Sequence, residues 1–272
     1  MRNHNGAGGA RGDSSIQVVR RIAQIFSCFE EEGPIIGLAR LAQKTGLPKT
    51  TVHRIVTSLQ AEGLVAKAEG GYRLGHRLFR WGLLYQASND LRQKGLPILE
   101  KLRDATGEMT HLFTREGRVR VCMEKADSPQ AVRTWVGVGN ILPLHVGSAG
   151  KVLLAYLSQE ERDLILNSEV VPNREALEAA LEETRRRGWA SSFEEREKGL
   201  ASASAPIFDH RGSVVAAIGV SGPIFRFTPE RAEEYSGALL KAARDLSQQL
   251  GYNPATDAAA RGRFTEGEEA NG

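Results

Sequence analysis

Lys49, Thr50, Thr51, His53 and Arg54 bring cations, hydroxyls and an imidazole together within the short run KTTVHR. Hydroxyls and backbone amides anchor phosphates, and an arginine reaches the edge of a guanine, so this set suits the major groove of DNA. The groups must then share one outward surface. Val52, Ile55, Val56 and Leu59 form an apolar stripe at helical spacing, which leaves Thr50, Thr51, Arg54, Thr57 and Ser58 on the opposite and flanking faces, with Lys49 and His53 bordering them. Pro48 opens this helix near its first turn.

The elements that must position that helix lie on either side of it. Ser14 and Ser15 are placed to cap a first helix whose apolar positions Val18, Val19, Ile22, Ile25, Phe26 and Phe29 recur at helical spacing, and Glu30-Glu31-Glu32-Gly33-Pro34 stops it. A second helix fits Leu38 to Thr45, with Leu38, Leu41 and Ala42 inward, and closes on Gly46. Two helices joined by a glycine turn, the second amphipathic, make a helix-turn-helix. Two short strands around Gly70-Gly71, Leu64 to Ala68 and Tyr72 to Gly75, then read as a hairpin in the position of a wing, with Arg73 placed to touch the DNA backbone. Taken alone, the helices also fit a three-helix bundle with no DNA role. The hairpin and the charge weigh against that. Residues 1 to 89 carry 12 Lys+Arg against 6 Asp+Glu, whereas residues 90 to 272 carry 24 against 27, so the excess of positive charge sits at the N-terminal end.

A chain of 272 residues, 41% hydrophobic and 25% charged, is expected to form two compact domains. Its longest apolar or glycine run, Val214 to Val220, is too short for a spanning helix. The N-terminal MRNHNGAGGARGD lacks the apolar core of a secretory signal and reads as a flexible polar tail, so a cytoplasmic protein is expected. Cys28 and Cys122, each in an apolar stretch, read as core fillers that build no disulfide framework and no zinc site.

Beyond the hairpin, His76 to Asn89 is crowded with Leu78, Phe79, Trp81, Leu83, Leu84 and Tyr85 and holds no acidic residue. It either packs on its own domains or pairs with a second copy. A helix to about Thr106 leads to strand-like runs at Met109–Thr114, Arg118–Lys125 and Val132–Val136. Helical stretches follow at Ala149–Leu157, Glu160–Leu166 and Arg174–Arg187. Strands are expected at Trp189–Phe193, Ala203–Phe208 and Ser213–Val220, a helix at Pro229–Leu250, and a polar tail from Asn253 to Gly272. Such an order implies an α+β fold with a largely antiparallel sheet.

No reacting group emerges from this second half. Gly147-Ser148-Ala149-Gly150-Lys151 has His145 where a phosphate-binding loop needs glycine, Val152 where it needs a hydroxyl, and Val146 where a nucleophile elbow needs glycine. His111, His145 and His210 are isolated in sequence, as core or turn histidines are, and no metal or cofactor is expected. The charge runs Arg185-Arg186-Arg187 and Glu194 to Lys198 read as solvated faces. What Gly147 to Gly150 does fit is a ligand cup, because small residues ahead of a helix leave amides free to face a polar atom. Leu142, Leu144 and Trp135 are placed to wall it. Equally, its serines would satisfy local backbone groups.

Four segments in register, GLARLAQKTGLPKTTVHRIVTSLQAEGLV (37–65), YRLGHRLFRWG (72–82), LPLHVGSAGKVLLAYL (142–157) and SAPIFDHRGSVVAAIGVSGP (204–223), resemble successive blocks of the IclR family of bacterial transcription regulators. The likeness runs from about Ser14 to Tyr252. It implies a winged helix-turn-helix over 14–75, a dimerising linker helix over 76–90 and a GAF- or PAS-like effector domain over 91–252, between flexible tails at 1–13 and 253–272. It places DNA contacts on Lys49, Thr51 and Arg54, beside Thr50, His53 and Arg73 from the reading above, and effector contacts on Ser148, Ala149, Ser192, Ser202, Gly219 and Ser221. Two departures stand out: Gly37, where many relatives start the second helix with Ser or Thr, and Ser192 and Ser202, where some relatives that bind small oxo-acids carry Asp and Cys. The partners implied are double-stranded operator DNA, a small organic effector and further copies of the chain, as a dimer or a dimer of dimers, with no membrane. The effector expected has an apolar or aromatic body and one polar end, since the transferred positions are uncharged, although Arg133 could reach in. The function implied is a ligand-responsive regulator, repressing a catabolic or efflux operon. An enzyme fused to a winged helix, or a winged helix that binds protein, are the competing readings.

Overall fold

The computed structural model describes residues 10–88 and 90–254, and the chain divides into two compact units, Met1–Ser88 and Asn89–Gly272. In the first unit, helix α1 (Ala10–Glu32) begins before Ser14 and Ser15, so these serines lie inside the helix and do not cap it. Once a helix is nucleated each further residue adds a hydrogen bond, and that gain carries α1 through the weak start signal. The expected N-terminal tail is therefore helical from Ala10 to Asp13, and its remainder, 1–9, lies outside the described residues. Ile25, Cys28 and Phe29 anchor α1 in the core, whereas Val18 and Val19 are exposed.

Helices α2 (Leu38–Thr45) and α3 (Lys49–Ala61) pack against that anchor through Leu41, Val52, Val56 and Leu59, with Ile36 and Val65 completing the cluster. Gly46 caps α2 in the left-handed conformation at φ 68°, which lets the chain reverse into Pro48 at the N-cap of α3. Strands β1 (Val65–Ala68) and β2 (Gly71–Leu74) form the antiparallel hairpin, and Ile36 adds a short bridge to Tyr72. Helix α4 (His76–Ser88) follows, with Phe79, Trp81, Leu83, Leu84 and Tyr85 exposed.

The second unit opens with α5 (Asp90–Thr106) and builds one six-stranded sheet. Its strands are β3 (Met109–Glu116), β4 (Val119–Ala126), β5 (Ile141–Pro143), β6 (Ala190–Phe193), β7 (Leu200–Phe208) and β8 (Val214–Pro223), in the order β5-β4-β3-β8-β7-β6 with every pairing antiparallel. Helices α6 (Ser148–Ala155), α7 (Gln159–Leu166) and α8 (Arg174–Arg187) lie between β5 and β6 in the chain, and α9 (Pro229–Gln249) follows β8. Two large apolar clusters form, beside a small one of Phe208 and Tyr252. In one, Ile98, Leu99 and Leu102 of α5 and Leu239 and Leu246 of α9 meet Ala203, Ile207 and Ile218; in the other, Val152, Leu153 and Leu181 meet Met109, Phe113 and Cys122. The fold is α+β, as the sequence implies.

One expected strand is absent. Within Val132–Val136, exposed Arg133 and Trp135 alternate with buried Thr134 and Val136, yet the segment has no ladder partner; the edge strand is β5 instead. Extended chain lying on a core produces the same period of two as a paired strand, which is why the pattern misleads. At the other end Tyr252 stacks on Phe208, and of the expected C-terminal tail residues 255–272 lie outside the described residues. No described helix is long and apolar enough to cross a membrane.

Candidate functional site

On α3, Lys49, Thr50, His53 and Arg54 are exposed and Thr51 is half-buried at the edge of the stripe; Arg73 is exposed on β2. Thr57 and Ser58 donate their hydroxyls back to the carbonyls of His53 and Arg54, at 2.8 and 3.1 Å, so these two lend less to a partner than their position suggests. The cations of this unit fall into two groups. Arg40 and Lys44 are neutralised by Glu32 at 2.8 Å, and Arg77 by Glu62 at 2.8 Å. Among the described residues no carboxylate pairs with Lys49, Arg54 or Arg73. Among the described residues, unpaired positive charge therefore stands on α3 and the hairpin, where phosphates would meet it, and also at Arg20 and Arg21 of α1 and Arg80 of α4.

In the second unit the strand register lays out a polar floor. Ser192, Ser202, Ser221 and Met109 form one cross-strand row, and Ala190, Ser204, Gly219 and His111 the next on the same face. Over this floor lies a cavity of about 510 Å³ of atom-free space, its open mouth included, lined by Ser148, Ala149, Ser192, Ser202 and Ser221. Gly219 is not in its wall. It acts from below: a Cβ there would stand 2.3 Å from the His111 ring and 2.4 Å from the Ser204 hydroxyl, so glycine is what lets those groups close over the strand. Ser148 joins both rows, its hydroxyl 2.8 Å from those of Ser202 and of Ser204, and Ser221 meets Thr134 at 3.1 Å. Ser148, Ser202 and Ser204 thus bond to one another rather than to local backbone groups. Of the expected walls, Leu142 lines the cavity, while Leu144 is buried in the core and Trp135 points to solvent.

Three features were not expected from the sequence. His111 is no satisfied core histidine: it is buried in the cavity wall, its Nδ1 has no partner, and burial, with Arg120 and Arg196 nearby, pushes its pKa down to about 3, so the ring is neutral at pH 7. Arg120 is also buried there, donating to the carbonyls of Pro143 and of Val146, the latter at 2.6 Å; burial and Arg196 pull its pKa down to about 9. Finally, the amide of Gly147 is not free for a ligand, because Glu195 accepts it at 3.1 Å and is itself held by Lys151. Arg133 stays exposed, bonded to the carbonyl of Gln130, and Arg196 is the second arginine at the cavity.

Alternation conceals Arg120. On β4 the inward residues are Arg120, Cys122, Glu124 and Ala126, while Val119, Val121 and Met123 are half-exposed, the reverse of what polarity suggests. Gly150 fits Arg120 closely: a Cβ there would lie 2.1 Å from the Leu144 carbonyl and 2.5 Å from the guanidinium. Among the described residues no group of His, Cys, Asp or Glu is arranged to hold a metal ion.

Comparison with known proteins gives a consistent result. Residues 18–69 match the IclR helix-turn-helix domain and residues 84–248 the bacterial transcriptional regulator IclR C-terminal domain. The HTH-type transcriptional regulator XynR of Escherichia coli is 33% identical over 87% of this chain and 98% of its own length. A solved IclR-type regulator from Silicibacter sp. superposes with a TM-score of 0.78 at 28% identity, covering 87% of this chain and 97% of its own. An IclR homolog from Microbacterium hydrocarbonoxydans, crystallised in complex with 4-hydroxybenzoate, gives 0.73 at 26% identity over 86% and 98%. Matching families and relatives are transcriptional regulators and not enzymes, and the chain belongs to the IclR family, with a helix-turn-helix DNA-binding domain ahead of its antiparallel-sheet domain.

Proposed function

We propose that this protein is a ligand-responsive repressor of an operon for the catabolism or efflux of a small organic molecule. Lys49, Thr50, Thr51, His53 and Arg54 enter the major groove of double-stranded operator DNA, and Arg73 holds its backbone. The effector binds over Ser148, Ala149, Ser192, Ser202 and Ser221, with Gly219 shaping the floor. The observation that carries this reading is the pairing of unneutralised cations on one helix-turn-helix face with a polar-floored cavity in the other unit. The relative crystallised with 4-hydroxybenzoate supports a small organic effector. In this scheme residues 14–75 read DNA, 91–252 sense the ligand, and the helix of 76–90 transmits the change by spacing two winged helices.

A two-fold operator needs a two-fold protein, and the exposed Trp81 and Leu84 of α4 supply the apolar contact for a second copy. Sedimentation of the full chain should give a dimer or a dimer of dimers, reduced by polar replacement of both residues. A gel shift with the DNA upstream of the chain's own gene, titrated with candidate metabolites, tests the scheme. Wild type should bind and be released by one of them, whereas Ser148→Leu should bind and not respond. No specific shift with that DNA would overturn the proposal.

A further inference from the structure

The carbonyls at a helix C-terminus lack partners within the helix and favour a cation, yet the last turn of α3 holds no basic residue. The charge comes from the next helix instead. Arg77, in the first turn of α4, donates to the carbonyl of Glu62, the C-cap of α3, at 2.9 Å and to its carboxylate at 2.8 Å. One guanidinium thus holds both the backbone and the side chain of the residue that ends the recognition helix.

The backbones beside it meet more closely still. Gly75, between β2 and α4, donates its amide to the Leu64 carbonyl at 2.8 Å, and a Cβ on it would stand 2.0 Å from the Gly63 carbonyl oxygen. The Arg77 amide reaches that same Gly63 carbonyl, at 3.4 Å. A single close contact between two helices is a pivot. The two side-chain bonds of Arg77, made away from that point, remove the freedom to turn about it.

On its other side the guanidinium lies over the ring of Trp81, one turn further along α4, with 5.1 Å to the ring centre. Trp81 is itself exposed. A continuous chain of contacts, Glu62 to Arg77 to Trp81, therefore runs from the end of α3 to the apolar surface of α4. Both members of the ion pair are open to water, at 42% and 66% of their side chains, and such pairs contribute little to stability. What this one secures is orientation.

We propose that Arg77 is a positioning residue of DNA recognition: by tying the end of α3 to Trp81 of α4, it makes the packing of a second copy set the angle and spacing of two recognition helices. This rests on the reading that α4 supplies the contact between copies and α3 the contact with DNA, and it names the joint between those surfaces. Without the joint, each α3 would turn about the Gly63–Gly75 contact and accept half-sites at more than one separation.

Binding of the full chain to the DNA upstream of its own gene would test this. Footprinting locates the protected two-fold site, and one base pair is then inserted or removed at its centre, which shifts a half-site by about 3.4 Å and turns it by about 35°. An isolated half-site is the reference. Wild type should bind the native site more tightly than either respaced site. Arg77→Met, which keeps an apolar stem over Trp81, should shrink that preference by about threefold or more, with half-site affinity, melting temperature and sedimentation unchanged. Arg77→Lys, which keeps a charge at the end of α3, should retain most of the preference. An undiminished preference in Arg77→Met would overturn the joint and leave the regulator standing. Equal losses on native, respaced and half-sites would also overturn it, as the mark of a plain phosphate contact. A wild type that bound all spacings alike, or no site at all, would overturn the two-fold reader itself and the joint with it.

Discussion

The two polar surfaces of this protein carry positive charge under opposite conditions. On α3, Lys49 and Arg54 are exposed to water, where an unpaired cation is fully hydrated. In the cavity, Arg120 is enclosed, its protonation already weakened by burial, and the backbone around it is so close that Gly150 has no room for a methyl group. An exposed cation on a single helix is an adaptable contact, strong only when a polyanion arrives. An enclosed one assembled from distant strands is fixed before the ligand comes, and its cost is carried by the fold.

The contrast implies a ranking of substitution effects. The largest effect should come from Gly150→Ala, which drives a Cβ into a backbone carbonyl and should cost about 3 kcal/mol of stability, the upper end of overpacking losses. Chemical denaturation would measure it, and a loss under about 0.5 kcal/mol would mean that the cavity wall gives way easily. On the open surface, Arg54→Ala should leave stability unchanged and weaken operator binding by about 1 to 3 kcal/mol, whereas Arg73→Ala should weaken all sequences alike and flatten the salt dependence. Gel shifts on operator and scrambled DNA separate the two, and equal losses on both DNAs for Arg54→Ala would remove it from base reading.

A smaller effect concerns pH. The His111 pKa, near 3 in the folded protein, lies below the roughly 6.5 of an exposed imidazole, so the neutral ring is favoured by folding. The associated stability is complete above about 6.5 and is lost as pH falls toward 3, amounting to about 1 kcal/mol between pH 7 and 5.5. His111→Gln should flatten that slope in denaturant melts. An unchanged slope would show that the ring is hydrated. The smallest effect is Gly37→Ser. Gly37 is the N-cap of α2 and offers no side-chain bond, and a Cβ there meets only the Gly70 carbonyl at 3.5 Å, an ordinary contact. Serine should add a few tenths of a kcal/mol and a phosphate contact.

The two surfaces also differ in how plainly the sequence displays them. Everything that proposes α3 as a recognition surface lies in one helical stretch, so the stripe of Val52, Ile55, Val56 and Leu59 and the αL stop at Gly46 display it directly. The family likeness found the serines of the cavity, and the register explains why: Ser192, Ser202 and Ser221 are neighbours across three strands. Arg120 escaped because β4 buries its polar side, and a period of two carries no label for which phase faces inward. Glu195 escaped because its partner, the Gly147 amide, lies far away in the chain. The arginine set between valines in VRVCME was the one available signal, since an ionised side chain in the middle of an apolar strand asks for a reason.

The sheet order has a consequence for how the protein comes into being. Strand β3 pairs with β8, joining Met109 to Ser221, so the centre of the sheet cannot close until the chain has been made nearly to its last helix. The first unit needs nothing of the kind, since its hairpin and helices are contiguous. At ordinary rates of translation, the two moments are separated by on the order of 10 to 30 s. During that interval the ribosome carries a complete helix-turn-helix segment whose companion sheet cannot yet close.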